Sequence, residues 1–125
     1  MRSLRILLAE DQADSAFVLQ RLLTIDGHRV VLAHTVADAL ERAAADNFDL
    51  LLSDLTLPDG TGFSLMEQLC ALYSLRGIAV TGHDAMDVQE QCLSSGFSEC
   101  LVKPVSMAHL NSAIKRVFEG QPCTR

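Results

Sequence analysis

The sequence predicts an α/β domain built from five strand–helix repeats, with a parallel sheet covered by helices on both faces. Three observations lead there. Five short runs, at 4–9, 29–33, 48–54, 77–82 and 99–102, are apolar nearly throughout rather than in alternation, the mark of strands buried on both faces. Each run is followed by a stretch with apolar residues at helical spacing. Turn and capping residues fall between the two, so strand and helix alternate as they do when helices cross over between parallel strands.

The first run, "LRILLA", leads into "EDQADS", which is rich in helix-starting residues, and Val18, Leu22 and Ile25 then recur at helical spacing up to the turn "DGH" at 26–28. "RVVLA" is the second strand. Thr35 and Asp38 form a T-x-x-D box of the kind that opens helices, and Val36, Ala39, Leu40, Ala43 and Ala44 share one helical face behind it. "FDLLLSD" is the third strand, and "LPDGTG" at 57–62 reads as a loop from its Pro and Gly. Leu65, Met66, Leu69 and Tyr73 carry the third helix. "GIAVTG" is the fourth strand; a helix from about 84 to 95 follows and stops at Gly96, a natural C-cap. "ECLV" is the fifth strand, and Ser106 caps a last helix whose apolar face is Leu110, Ala113, Ile114, Val117 and Phe118. The remaining "EGQPCTR" shows no such pattern.

Composition narrows the function. A chain of 125 residues, 49% hydrophobic, suits one domain with a substantial core. Only 5% is aromatic and Trp is absent, so that core is aliphatic. Lys and Arg total 10 against 16 Asp and Glu, and the net charge of −6 argues against a nucleic-acid surface, which needs clustered cations. The cysteines at 70, 92, 100 and 123 show no CxxC spacing, and the four histidines complete no zinc pattern. Reduced thiols in a cytoplasmic protein are expected. No apolar run approaches the ~18 residues of a membrane span, and the basic start runs at once into Glu10 and Asp11, unlike a secretory signal. Neither membrane insertion nor export is expected.

In an open parallel α/β sheet, ligands bind beyond the carboxyl ends of the strands. Glu10 and Asp11 follow the first strand, Asp54 ends the third, Thr81 and Gly82 end the fourth, and Lys103 and Pro104 follow the fifth. His34 and Thr35, after the second, look ordinary. Glu10 and Asp11 need not be mere helix-starting acids, because Asp14 is available for that work. Neighbouring strands lie about 4.8 Å apart, so if the first and third are adjacent their acids can share one ion. Clustered carboxylates resist ionising together, and a hard divalent cation removes the penalty; Mg²⁺ suits oxygen ligands that also meet a phosphate. Asp54 is then a candidate nucleophile toward phosphorus. The phosphoryl oxygens would be met by metal, by the Lys103 ammonium and by the Thr81 hydroxyl, with Gly82 leaving backbone room.

With these residues in place, the chain resembles a receiver domain of two-component signalling, the response-regulator family, over essentially residues 4–118. The resemblance is carried by "LLAEDQ", by "DLLLSDLTLPDGTGF" with Asp54 and Gly62, by "IAVTGH" and by "LVKPV". It implies a flavodoxin-like doubly wound (βα)5 fold of strand order 2-1-3-4-5, with a receiver domain at 1–118 and a tail or truncated linker at 119–125. It implies that Asp54 accepts a phosphoryl group from a histidine kinase or histidine phosphotransfer domain. Asp11, Asp54 and the backbone carbonyl of Thr56 would bind Mg²⁺ directly, Glu10 through water, and Thr81 and Lys103 would bind phosphoryl oxygens. The Lys103–Pro104 peptide would be cis. Such a domain acts on itself only and is not a turnover enzyme.

One departure stands out. Where the family often places Tyr or Phe three residues before the lysine, this chain has Cys100, so the aromatic half of the usual switch is missing. A phosphate relay, or signalling through small changes on the fourth-helix face, is the expectation. "GFSECLVKPV" also resembles receivers appended to hybrid sensor kinases. Three other functions compete: a flavin-binding module on the same fold, a degenerate receiver used only for protein interaction, and an Asp-nucleophile phosphohydrolase of the haloacid dehalogenase type. The latter needs D-x-D, and position 56 is Thr. A flavin module on this fold would need Ser, Thr and Gly after the first strand rather than Glu10 and Asp11. A homodimer through the last helices is compatible with the sequence but not specified by it.

Overall fold

The computed structural model describes residues 3–82 and 86–119. In chain order the elements are β1 (Arg5–Ala9), α1 (Ala13–Ile25), β2 (Arg29–Ala33), α2 (Val36–Ala45), β3 (Leu50–Asp54), β4 (Thr56–Leu57), β5 (Gly60–Thr61), α3 (Gly62–Leu72), β6 (Arg76–Thr81), α4 (Met86–Ser94), β7 (Glu99–Val102) and α5 (Met107–Glu119). The main sheet is wholly parallel with the order β2-β1-β3-β6-β7. Counting sheet strands alone, this is the expected 2-1-3-4-5. The helix expected from 84 and the tail after Glu119 begin or lie outside the described residues, as do His83 and Cys123.

Uniformly apolar strands have a visible consequence: alternate residues of one strand enter two different cores. Leu7, Ala9, Leu51 and Ala79 pack under α2, α3 and α4 with Met66, Leu69 and Phe97. Ile6, Leu8, Leu50, Leu52, Ile78 and Val80 pack under α1 and α5 with Leu19, Leu23, Leu110 and Ile114. Each Leu, Ile or Val among them contributes roughly 1.5–3 kcal/mol on burial, so the central strands β1, β3 and β6 are well anchored on both faces.

The helix ends follow local chemistry. The Thr35 hydroxyl accepts from the Asp38 amide at 2.9 Å, as the T-x-x-D box predicts. The Ser106 hydroxyl accepts from the His109 amide at 3.1 Å, and α5 buries Leu110, Ala113, Ile114 and Val117. Gly96 takes φ +112°, a conformation open to glycine, and reverses the chain so that the Phe97 amide donates to the Cys92 carbonyl.

Three expectations need correction. On α1 the core-facing row is Ala16, Leu19 and Leu23, with Leu22 half-buried; Val18 and Ile25 are 50% and 65% exposed. The helix carries two interleaved apolar rows, and spacing alone could not say which one turns inward. The "LPDGTG" loop is a small antiparallel hairpin, with Thr56 opposite Thr61 and Leu57 opposite Gly60. Thr61 then caps α3 through its hydroxyl and the Ser64 amide, 3.1 Å apart. Tyr73 lies just beyond α3, partly exposed, rather than on its buried face.

That hairpin also clamps α2. The Asp59 carboxylate accepts from the Val36 amide at 2.7 Å and the Ala37 amide at 3.0 Å, two of the amides a helix leaves without partners at its start. The Ala37 amide first, and the Val36 amide with it, hold the Asp59 carboxyl below its ordinary 3.8. A carboxyl lowered on folding stabilises the fold above its unfolded value, and that contribution is lost as pH falls through the folded value. Carboxyl-carbon NMR should therefore give an Asp59 midpoint below 3.8. In Asp59→Ala, exchange of the Val36 and Ala37 amides should quicken while the amides of α3 hold.

Candidate functional site

Strand register builds the site. Ala9 of β1 pairs with Ser53 of β3, so the next residues, Glu10 and Asp54, leave the sheet side by side. Asp54 also pairs with Val80, which sets Thr81 one step beyond it on β6. The Lys103 amide donates to the Thr81 carbonyl at 2.8 Å, keeping the segment after β7 on the same rim. The Lys103–Pro104 peptide is cis, as the resemblance implies.

The side chains converge. One oxygen each of Glu10, Asp11 and Asp54 lie within 4.8 Å of one another. The Lys103 ammonium stands 2.9 Å from Glu10 Oε1 and 3.2 Å from Asp54 Oδ2. Asp54 Oδ1 accepts from the Leu55 amide at 2.6 Å, with the Thr56 amide at 3.4 Å, so that carboxylate is oriented by backbone on one side and by lysine on the other. Glu10 is buried and Asp11 exposed. The other oxygen of Glu10 accepts from the Gln12 amide at 3.2 Å.

Charge at the rim is poised rather than cancelled. Burial pushes the Glu10 carboxyl above its ordinary value, against the hydrogen bond from Lys103, and the nearby Asp54 charge adds to the rise. For Lys103, burial works against the charged form, but the hydrogen bond to Glu10 and the charges of Asp54 and Glu10 outweigh it, and the net shift is upward. Both shifts run the same way because Glu10 is almost fully enclosed while the lysine keeps some contact with water.

Thr81 is buried at the strand end, and Thr56 is exposed on β4. A Cβ placed on Gly82 would meet nothing within 4 Å, so crowding by the chain is not what calls for glycine there. Gly62 is different: a Cβ would fall 2.2 Å from the Asp54 carbonyl oxygen, and the Gly62 amide donates to the Leu55 carbonyl at 2.9 Å. His34 is less ordinary than its sequence suggests, since Nδ1 lies 3.3 Å from the Glu10 carbonyl oxygen. Nor did sequence reasoning find the Ser53 hydroxyl, which donates to the Asp54 carbonyl at 2.7 Å, or Asp59. The partners of His34 and Asp59 lie more than twenty positions away, and no local pattern marks them.

Residues 6–115 match the family model described as the response regulator receiver domain. The chain belongs to that family. Among curated proteins it is 34% identical over 115 residues to the swarming motility regulation protein RssB of Serratia marcescens, covering 91% of this chain and 52% of that protein. It is 32% identical over 123 residues to the aerobic respiration control sensor protein ArcB of Escherichia coli K12, covering 95% of this chain and 16% of that protein. It thus spans about half of the one relative and a small part of the other. A CheY-like receiver domain from Methanospirillum hungatei superposes with a TM-score of 0.83 at 28% identity, over 92% of this chain and 93% of that one. This receiver domain therefore places its acidic rim on the fold the family shares.

Gly62 gives a direct handle on the site. In Gly62→Ala the added methyl must displace the Asp54 carbonyl, so the carboxylate cluster should loosen. Denaturant unfolding should show a loss of about 2 kcal/mol, whereas Gly82→Ala should leave stability within ~0.5 kcal/mol.

Proposed function

We propose that this receiver domain takes a phosphoryl group onto Asp54 from a phosphohistidine, in a Mg²⁺-dependent reaction, as a relay or switch in two-component signalling. The donor is a histidine kinase or a histidine phosphotransfer domain. The observation that carries the reading is the Lys103 ammonium bridging Glu10 and Asp54 beside Asp11. Three acids kept together at a rim, with one cation already among them, fit a site for a second, hard cation. Asp11, Asp54 and the Thr56 carbonyl would hold the metal, with Glu10 acting through water. When bound, Mg²⁺ supplies positive charge to the phosphoryl oxygens.

The transfer itself balances simply. An Asp54 oxygen forms the new bond to phosphorus, the phosphorus–nitrogen bond breaks, and the ring nitrogen leaves with its electron pair as neutral imidazole. Lys103 exchanges its contact with Asp54 for a phosphoryl oxygen, and the Thr81 hydroxyl meets another. Nothing is released to solvent except in later hydrolysis of the acyl phosphate, so the domain acts on itself and is no turnover enzyme.

Approach of a partner is favoured on one side. Phe17, Val18 and Ile25 of α1 are exposed, and Val18 also lines an open groove of about 380 Å³ with Asp14, Leu19, Val80, Lys103 and Pro104. An apolar helical surface presented there would bring its phosphohistidine to the acidic rim. The likeness to part of a protein named as a sensor supports a place within a larger sensor protein, and the receiver reading goes with a cytoplasmic setting. No described helix is long and apolar enough to cross a membrane. The complete residue set speaks against a purely degenerate receiver, and Thr56 in place of a second Asp speaks against a phosphohydrolase.

A small-molecule phosphodonor with Mg²⁺ should add one phosphoryl group per chain by mass spectrometry, and none in Asp54→Asn. No uptake by the unaltered chain would leave only the interaction role. Mg²⁺ alone should raise thermal stability, by about 2.7 kcal/mol when free metal is a hundredfold above its dissociation constant. Asp11→Asn should abolish most of that gain.

A further inference from the structure

Outside the acidic rim, two nucleophilic side chains face each other at the edge of the sheet. Cys92 lies on α4 and Cys100 on β7, and their sulfurs are 3.5 Å apart with the Cys92 thiol donating. No disulfide joins the described cysteines. Among the described side chains of α4, Cys92 is the one that is fully buried; Val88 is half-buried and Asp87, Gln89, Glu90, Gln91, Leu93 and Ser94 are exposed. The contact that holds α4 down therefore includes the sulfur that meets Cys100. Cys100 itself is half-buried and is fixed in the sheet opposite Ala79.

We propose that Cys92 and Cys100 form a redox-sensitive dithiol that closes to an intramolecular disulfide on exposure to a peroxide, tying α4 to β7. The two sulfurs must approach by about 1.5 Å to reach covalent length, a shift that side-chain rotation and a small settling of α4 can provide. The roles of the two thiols differ. Burial first, and the hydrogen bond to Cys100 next, push the Cys92 thiol up to about 12, so Cys92 stays protonated while the less enclosed Cys100 meets the oxidant.

The chemistry closes without another reactant. The Cys100 sulfur attacks one oxygen of hydrogen peroxide; the oxygen–oxygen bond breaks, and the departing hydroxide takes up the Cys100 thiol proton as water. Cys100 is now a sulfenic acid. The Cys92 sulfur attacks it, the sulfur–sulfur bond forms, and the second hydroxide leaves as water with the Cys92 proton. Two thiols are oxidised by two electrons and one peroxide is reduced to two waters. A small thiol such as glutathione reverses the bond by exchange, which suits a transient cross-link in a reducing compartment.

The consequence for signalling rests on the receiver reading, whereas the disulfide does not. Cys100 stands three positions before Lys103, at the position where the resemblance calls for a ring. A covalent tie there replaces an aromatic switch with a redox one, holding α4 against the strand that leads to the phosphoryl-binding lysine.

The test uses the whole chain, reduced and then treated with hydrogen peroxide, and digested after glutamate. Cleavage at Glu90 and Glu99 separates Cys92 from Cys100, so a disulfide appears as peptides 91–99 and 100–119 joined, two hydrogens lighter than their sum. The joined species should vanish in Cys100→Ser and in Cys92→Ala, and α4 amides should exchange about tenfold more slowly after oxidation. The inference is overturned if Cys92 remains alkylatable after denaturation while Cys100 is over-oxidised. It is equally overturned if either thiol joins Cys70 or Cys123 instead, or if α4 exchange does not slow. Phosphoryl uptake by the reduced chain is scored separately: uptake without a disulfide keeps the receiver reading and ends this one, and a disulfide without uptake does the reverse.

Discussion

The ammonium of Lys103 is the constraint on which the rim depends. Glu10, Asp11 and Asp54 lie within 4.8 Å of one another, and carboxylates so placed raise one another's cost of ionisation. Glu10 cannot escape into water, because its side chain is only 1% exposed. Lys103 answers the two enclosed acids and leaves Asp11 facing solvent. Removing the lysine would leave a buried carboxylate beside a second one, the situation in which breaking a pair costs far more than the pair is worth.

Lysine, and no shorter side chain, fits this role. The Lys103 backbone continues β7 and is still bonded to Thr81 on β6, and β1 lies three strands away in the order β1-β3-β6-β7. Three spacings of about 4.8 Å are bridged by the long lysine side chain meeting Glu10 part-way, with Asp54 on β3 between them. Topology thus decides chemistry: the crossovers place β1 and β3 side by side, and the last strand is near enough for a long cation and too far for a short one. An arginine would carry the charge but bring a planar fork of donors that two differently oriented carboxylates do not match.

How much of this was legible in the sequence follows from how local each signal is. The five strands, the caps at Thr35 and Ser106 and the stop at Gly96 are written in adjacent residues, and the structure repeats them. The polar groups at the strand ends were legible because parallel strands deliver their carboxyl ends to one edge. What failed was relative or distant. Nothing local distinguishes the inward row of α1 from the outward one, since Phe17, Val18 and Ile25 are as apolar as Leu19 and Leu23. The Asp59 clamp depends on an amide 23 positions earlier, and Gly62 reveals its purpose only once the Asp54 carbonyl is seen against it.

The two faces of the sheet differ, along the β7 edge, in how firmly their helices are held. On one face, α5 buries four apolar side chains, and Arg116 forks onto Glu99 of β7 with both contacts at 3.0 Å. By contrast, among its described side chains α4 lies on its sheet through Cys92 and, less deeply, Val88. Local opening costs least where few apolar contacts are lost, so the described part of α4 should open more readily than α5. The departure from the aromatic pattern makes sense on this ground. In place of a ring, position 100 carries a half-buried thiol whose sulfur meets Cys92, the one fully buried side chain among those described on α4.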